Sequence, residues 1–167
     1  GGDGTQNQAI QGRWQTTDLA PLYSFPGGTA NDLASQLGLH PSLEQAQRLL
    51  DTRQSTQIDL ISVNGTPFST VAGIGIGAAL TQAINDTRRS SKVFCGVMGT
   101  LKAEMYAAMS AKMILTSKSF LQDVRIESDS FSDRVQVAAV FVCNQDLLAG
   151  NIRVAEHSSN QDGLFSV

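Results

Sequence analysis

Two short stretches carry residue types that could do chemistry. The chain opens Gly1-Gly2-Asp3-Gly4-Thr5. Successive glycines let backbone N–H groups approach a phosphate closely, and a helix start adds a favourable dipole. An Asp inside such a loop would repel a bare phosphate. It makes sense if it holds Mg²⁺, positions a hydroxyl or takes a proton from one. A tight turn with a capping Asp would use the same residues. The second stretch is Pro26-Gly27-Gly28-Thr29-Ala30-Asn31-Asp32-Leu33-Ala34. It follows a strand pattern and opens a helix pattern, the place where α/β sheets present ligands. Thr29 offers a hydroxyl, Asn31 an amide and Asp32 a carboxylate, and as plain structure these are N-caps. Two such loops so close together favour a phosphate site over two unrelated turns.

The flanking elements must position these loops. Residues 6–20 are polar with a weak helical pattern through Ile10, Trp14 and Leu19. Residues 20–25 read as a short buried strand with Pro21 at its entrance. Asn31 or Asp32 can cap a helix running to Leu37, with Gly38 at its C′ position. Ser42 and Gln45 form a capping box for a further helix, whose apolar stripe is Leu43, Ala46, Leu49 and Leu50. Residues 1–50 therefore follow an α/β pattern. From residue 58 the apolar residues alternate, and Asn64-Gly65 marks a hairpin with 66–73 returning. Residues 92–116 have helical spacing with a Met stripe, read as core. Residues 121–127 and 134–143 read as strands joined by the polar turn 128–133, and another strand begins at Gly163. The expected organisation is a piece of a Rossmann-like α/β domain over 1–55 and a mainly antiparallel β-sandwich over 56–167, α+β overall. A glycine loop with no element before it suggests a piece of a longer protein.

Composition narrows the function classes. Of 167 residues, 41% are hydrophobic and 16% charged, enough apolar material for a packed core. The net charge of −3 lacks the basic footprint of a nucleic-acid binder. The longest apolar run, residues 71–80, is too short to span a bilayer. The opening residues have no basic stretch ahead of an apolar one, so no signal peptide is expected. Two cysteines, Cys95 and Cys143, with no CxxC spacing suggest free thiols in a reducing compartment. Gly73-Ile74-Gly75-Ile76-Gly77 is not a dinucleotide fingerprint, because its third glycine is misplaced, and it reads as close backbone packing at a strand end. His40 and His157 lack partners at metal-ligand spacing. Arg88, Arg89 and Lys92 read as a solvated face, and Ser128–Asp133 as a plain turn rather than a cation loop.

GGDGT followed by PGGTANDLA, then Ile58-Asp59-Leu60 leading into a hairpin, resembles the diacylglycerol kinase catalytic domain, closest to bacterial lipid kinases of the diacylglycerol kinase and YegS type. The resemblance continues through Asn64-Gly65, Phe68 and Gly73-Ile74-Gly75, and returns at Asn160-Gln161-Asp162-Gly163-Leu164. It implies that Gly2, Asp3, Gly4 and Thr5 contact ATP phosphates and the catalytic Mg²⁺, with Gly28, Thr29 and Asn31 at the nucleotide. It places Asp32 and Asp59 in the acidic network around the metal. Asp162, with carbonyls near Ser159 and Leu164, matches a second, structural Mg²⁺ site, for which hard oxygen ligands are suited. The implied activity is transfer of the γ-phosphoryl group of ATP to a hydroxyl of diacylglycerol. A sphingoid base, ceramide or another lipid alcohol is the alternative acceptor, and a non-catalytic nucleotide- or lipid-binding relative the alternative class. A cytoplasmic protein that touches the membrane peripherally is implied, and an unpaired sandwich edge could support a homodimer. Two departures matter. The family usually has Glu where this chain has Gln8, and its general-base Glu lies in a DGE motif beyond Val167. This stretch alone is therefore expected to be inactive.

Overall fold

The computed structural model describes residues 1–17, 20–76, 78, 79, 82, 86, 121–148, 150 and 152–167. The expected helix over 92–116, Cys95, the Arg88, Arg89 and Lys92 cluster, Leu19 and Gly77 lie outside the described residues. Three helices come first: α1 (Asp3–Trp14), α2 (Asp32–Gln36) and α3 (Leu43–Thr52). The described strands are β1 (Ile61–Val63), β2 (Thr66–Phe68), β3 (Val71–Gly75), β4 (Gln122–Glu127), β5 (Ser132–Val137), β6 (Ala139–Cys143), β7 (Leu147–Leu148) and β8 (Ile152–Arg153). The chain divides into two compact units. One comprises Gly1–Ala72 with Val142–Val167, the other Gly73–Phe141.

Helix α1 begins inside the first glycine motif, so Asp3, Gly4 and Thr5 are helical rather than loop. Its charges suit the dipole, with Asp3 in the first turn and Arg13 in the last. It buries no residue. Helix α2 ends in a Schellman motif: Leu39 N–H donates to Ala34 and Gly38 N–H to Ser35, with Gly38 at φ +66°. Helix α3 is capped by Ser42, whose Oγ accepts from Gln45 N–H at 3.2 Å. The expected box is only half closed, because Gln45 Oε1 accepts from His40 N–H instead of Ser42 N–H. The expected stripe is not core either: Leu43 is 78% exposed and Leu50 65%.

The expected strand over 20–25 does not form. Leu22 is exposed and the segment is irregular. It meets Gly1, whose N–H donates to Phe25 O at 3.0 Å and whose carbonyl accepts from Gly27 N–H at 3.3 Å. Those two bonds flank Pro26 as in a parallel pair. The Asn64-Gly65 hairpin is present, with Val63 opposite Thr66. Both turn residues have positive φ, +52° and +80°, the type I′ geometry that matches strand twist. Its return strand breaks after Phe68, because Ser69 and Thr70 turn inward and bury. The expected strand 134–143 is likewise split at Ala138 into β5 and β6. Gly75 causes a close approach there: at φ +81°, a Cβ would collide with Ala138 O. In the second unit β4 and β5 form an antiparallel ribbon closed by the turn at Ser128–Phe131. The strand expected from Gly163 is a single bridge, Ser166 to Cys143.

The first unit's described interior is largely polar. Leu33, Ala34, Phe68 and Cys143 are buried, but so are Asp32, Ser69, Thr70, Asn144, Gln145 and Asn160. Such groups bury without large cost only when hydrogen-bonded, so specific bonds rather than apolar area set the geometry around them. Among the described residues no helix is long and apolar enough to cross a membrane.

Candidate functional site

The two glycine motifs meet in the first unit. Gly2 and Gly28 stack backbone on backbone: a Cβ on Gly28 would overlap Gly2 Cα and lie 2.9 Å from Asn31 Oδ1. Only glycine permits that approach. Asn31 sits in the left-handed region at φ 56° and makes no side-chain cap on α2. Its amide folds back on the loop instead, accepting from Gly28 N–H at 2.7 Å and donating to Gly28 O at 2.9 Å. The cap on α2 comes from the other motif. Asp3 Oδ1 accepts from Leu33 N–H at 3.1 Å. One carboxylate thus lies at the start of its own helix and ties down the start of a second.

The remaining predicted residues fall into further groups. Asp32 is buried, and its Oδ1 accepts from Gly150 N–H at 2.6 Å, across 118 residues of chain. Asp59 is joined to the 160–163 loop: its N–H donates to Asn160 O at 2.7 Å and its Oδ2 accepts from Gly163 N–H at 2.7 Å. Within that loop Asp162 Oδ1 accepts from Leu164 N–H at 3.0 Å and Ser159 Oγ from Gln161 N–H at 3.2 Å. The structure therefore brings Asp59 to the Asp162 segment, as it brings Asp3 to the Asp32 segment. Thr29 is half-buried, whereas Gly4 and Thr5 are exposed on the first turn of α1. A Cβ on Gly4 would meet nothing within 4 Å.

Three residues that hold this arrangement were not singled out from sequence. Asn7, one turn after Asp3, accepts through Oδ1 from both N–H and Oγ–H of buried Ser69, each at 3.1 Å. Gln11, a turn further, donates to Pro67 O at 3.2 Å. Asn144 is wholly buried; its Nδ2 donates to Asp59 O at 2.7 Å and Ser69 O at 3.0 Å. The i, i+4, i+8 spacing of Asp3, Asn7 and Gln11 was visible. Nothing local marked the carbonyls they or Asn144 would reach. Cys143, next to Asn144, is a free buried thiol, and burial raises its pKa.

The donor set suits a phosphorylated ligand with a hard cation. Asp3 and Asp59 each anchor one carboxylate oxygen on a backbone N–H. Among the described residues, the second oxygen of each meets no protein donor. Ionised oxygens of this kind favour Mg²⁺ or Ca²⁺. The first-turn N–H groups of α1 have no intrahelical acceptor and sit beside the open space at Gly4. No cluster of three or more His, Cys, Asp or Glu forms a ready-made cage among the described residues, so a cation here would need oxygens from its ligand as well.

Comparison with known proteins bears on the family resemblance and the fold. Residues 1–63 match the model of the diacylglycerol kinase catalytic domain. A Staphylococcus haemolyticus (strain JCSC1435) protein named "Putative lipid kinase SH2167" is 24% identical over 98% of this chain and 49% of its own length. "Putative lipid kinase SAS0691" of Staphylococcus aureus (strain MSSA476) is 27% identical over 98% of this chain and 50% of its own. The chain spans about half the length of the curated relatives it matches. A crystal structure titled as a "putative diacylglycerol kinase from Bacillus anthracis str. Sterne" superposes with a TM-score of 0.72 at 23% identity, covering 99% of this chain and 52% of that one. A second, titled as a diacylglycerol kinase from the same organism, gives 0.67 at 22%, covering 99% and 50%. Those two likenesses establish a shared fold of mixed helix and strand. The resemblance carried by GGDGT and PGGTANDLA is thereby shown: residues 1–63 match the model of the diacylglycerol kinase catalytic domain, and the relatives above carry the name "Putative lipid kinase".

Proposed function

We propose that the protein is an ATP-dependent lipid kinase that moves the γ-phosphoryl group of ATP to the hydroxyl of diacylglycerol or a related lipid alcohol. The observation that carries this reading is the tie between the two motifs, Asp3 Oδ1 on Leu33 N–H beside the Gly2–Gly28 contact. It fixes a carboxylate with one open oxygen at the N-terminus of α1, where phosphate oxygens are favoured. Gly2, Gly4 and Thr5 would take the phosphates, with Gly28, Thr29 and Asn31 forming the second wall. Asp3 would anchor Mg²⁺ together with phosphate oxygens of the ATP, with Asp32 and Asp59 in the acidic network around it, and Asp162 with the carbonyls of Ser159 and Leu164 would hold a second, structural ion. Mg²⁺ supplies neutralisation of the charge that builds on the transferred group. Asp3 contributes its negative charge, as metal anchor or as acceptor of the hydroxyl proton. Because the acceptor is amphipathic, the enzyme would meet it at the membrane surface. Residues 1–55 read as part of the nucleotide-binding domain and 56–167 as part of a β-sandwich.

The test is transfer of label from radiolabelled ATP, with Mg²⁺, to a panel of diacylglycerol, sphingoid base and ceramide, using the intact protein. Asp3→Asn is the informative control, since Asn keeps an acceptor for Leu33 N–H and removes only the charge. We expect label in one lipid class and a kcat lower by at least ~10²-fold in Asp3→Asn. Wild-type turnover in that variant would refute the role of Asp3. Mg²⁺·ATP binding without transfer to any lipid would favour a non-catalytic relative, the reading that Gln8 supports.

A further inference from the structure

We infer that Asn7 and Asn144 are positioning residues that set the carboxylate of Asp59 relative to that of Asp3. The inference rests on the metal-dependent reading above and deepens it. Asp3 and Asn7 lie four residues apart on α1, so they share a face one turn apart. Asn7 Oδ1 takes both donors of Ser69. Ser69 is fully buried, and its carbonyl accepts from Asn144 Nδ2 at 3.0 Å. The other N–H of the same Nδ2 goes to Asp59 O at 2.7 Å, while the backbone N–H of Asn144 goes to Thr70 O at 2.9 Å. An unbroken run of hydrogen bonds therefore joins the helix that carries Asp3 to the residue that carries the second open carboxylate.

The chemistry of the run is directional. Both carbonyls that Asn144 bridges can only accept, so the amide must present its nitrogen to them. No carboxylate, and no aliphatic side chain of that size, could replace it. Its Oδ1 is buried without a hydrogen-bond partner among the described residues. A buried acceptor left unmet is costly, so the two bonds on the nitrogen side decide where this residue sits. Asp59 is then held at three points: N–H on Asn160, carbonyl on Asn144 and Oδ2 on Gly163. Only one carboxylate oxygen remains for a ligand. Groups that orient a metal-binding carboxylate without touching the ion typically change metal affinity about 10- to 100-fold when removed.

Calorimetric titration of the intact protein with ATP, once with Mg²⁺ and once with EDTA, tests this without turnover. Asn144→Ala and Asn7→Ala should each weaken Mg²⁺·ATP binding by about 10-fold. Metal-free ATP binding should stay within about twofold, because neither side chain is placed at the phosphates. Asn7→Asp keeps an oxygen acceptor for both Ser69 donors and should recover most of what Asn7→Ala loses. Equal losses with and without Mg²⁺, or no loss, would overturn the inference, since a purely structural role moves both affinities together. If Asn144→Ala does not fold, the half-buried Asn7 pair decides the matter. If wild-type protein binds ATP no better with Mg²⁺ than without, the metal-dependent reading itself fails, and that outcome is distinct from selective failure of the variants.

Discussion

Helix α1 has hardly any apolar face, whereas α3 has a well-formed one, and it is α1 that the first unit holds most firmly. Asp3, Asn7 and Gln11 each reach backbone or side-chain groups thirty to sixty residues away. Helix α3 has a good cap and a stripe of leucines, yet Leu43 and Leu50 face solvent. Hydrophobic periodicity told that α3 would be a helix, not what would cover it. The polar residues of α1, read from sequence only as a weakly helical stretch, are the means by which the helix is fixed. A helix that carries a candidate site residue gains from this arrangement. Apolar contacts tolerate sliding, whereas a hydrogen bond weakens steeply once its angle or length departs from a narrow range.

The contrast can be broken most forcefully at Gly28. Alanine there puts a methyl group into Gly2 Cα and within 2.9 Å of Asn31 Oδ1. Backbone meets backbone, so no flexible side chain can yield. Thermal denaturation should show a loss of about 3 kcal/mol, the upper part of the range for overpacking. An unchanged Tm would mean that the two motifs are not packed as described. A smaller effect belongs to α3. Ser42→Ala removes the bond to Gln45 N–H and should cost about 1 kcal/mol in the same measurement. A loss near zero would mean that α3 frays independently of the rest of the unit.

What was legible follows the range over which each signal acts. Asn64-Gly65 specified its own turn, because both left-handed residues lie within the turn itself. Ser42 and Gly38 marked a helix start and a helix end for the same reason. The two glycine motifs announced a shared purpose by composition, and their meeting was expected from the resemblance. The failures are non-local. Residues 20–25 have strand composition, but a strand needs a paired neighbour, which composition does not supply, and the segment is irregular. Residues 66–73 and 134–143 each read as one strand and are interrupted where a polar pair turns inward or a glycine meets a carbonyl. Asn7 and Asn144 were invisible as site residues, since an asparagine discloses neither of its partners.

The mildest test falls on the exposed stripe itself. Leu50→Gln keeps a straight side chain of good helix propensity and removes only apolar character. With Leu50 65% exposed, little apolar area is at stake, and the change should stay within about 0.5 kcal/mol, as surface substitutions do. The same should hold for Leu43→Gln at 78% exposure. Suppose instead that either change cost about 2 kcal/mol, the scale of a buried leucine. The face would then be covered in solution, and α3 would owe its place to apolar contact after all. The two helices would differ only in which partner each one meets. A null result leaves them different in kind, α1 held by bonds with fixed direction and α3 by little beyond its own turns and cap.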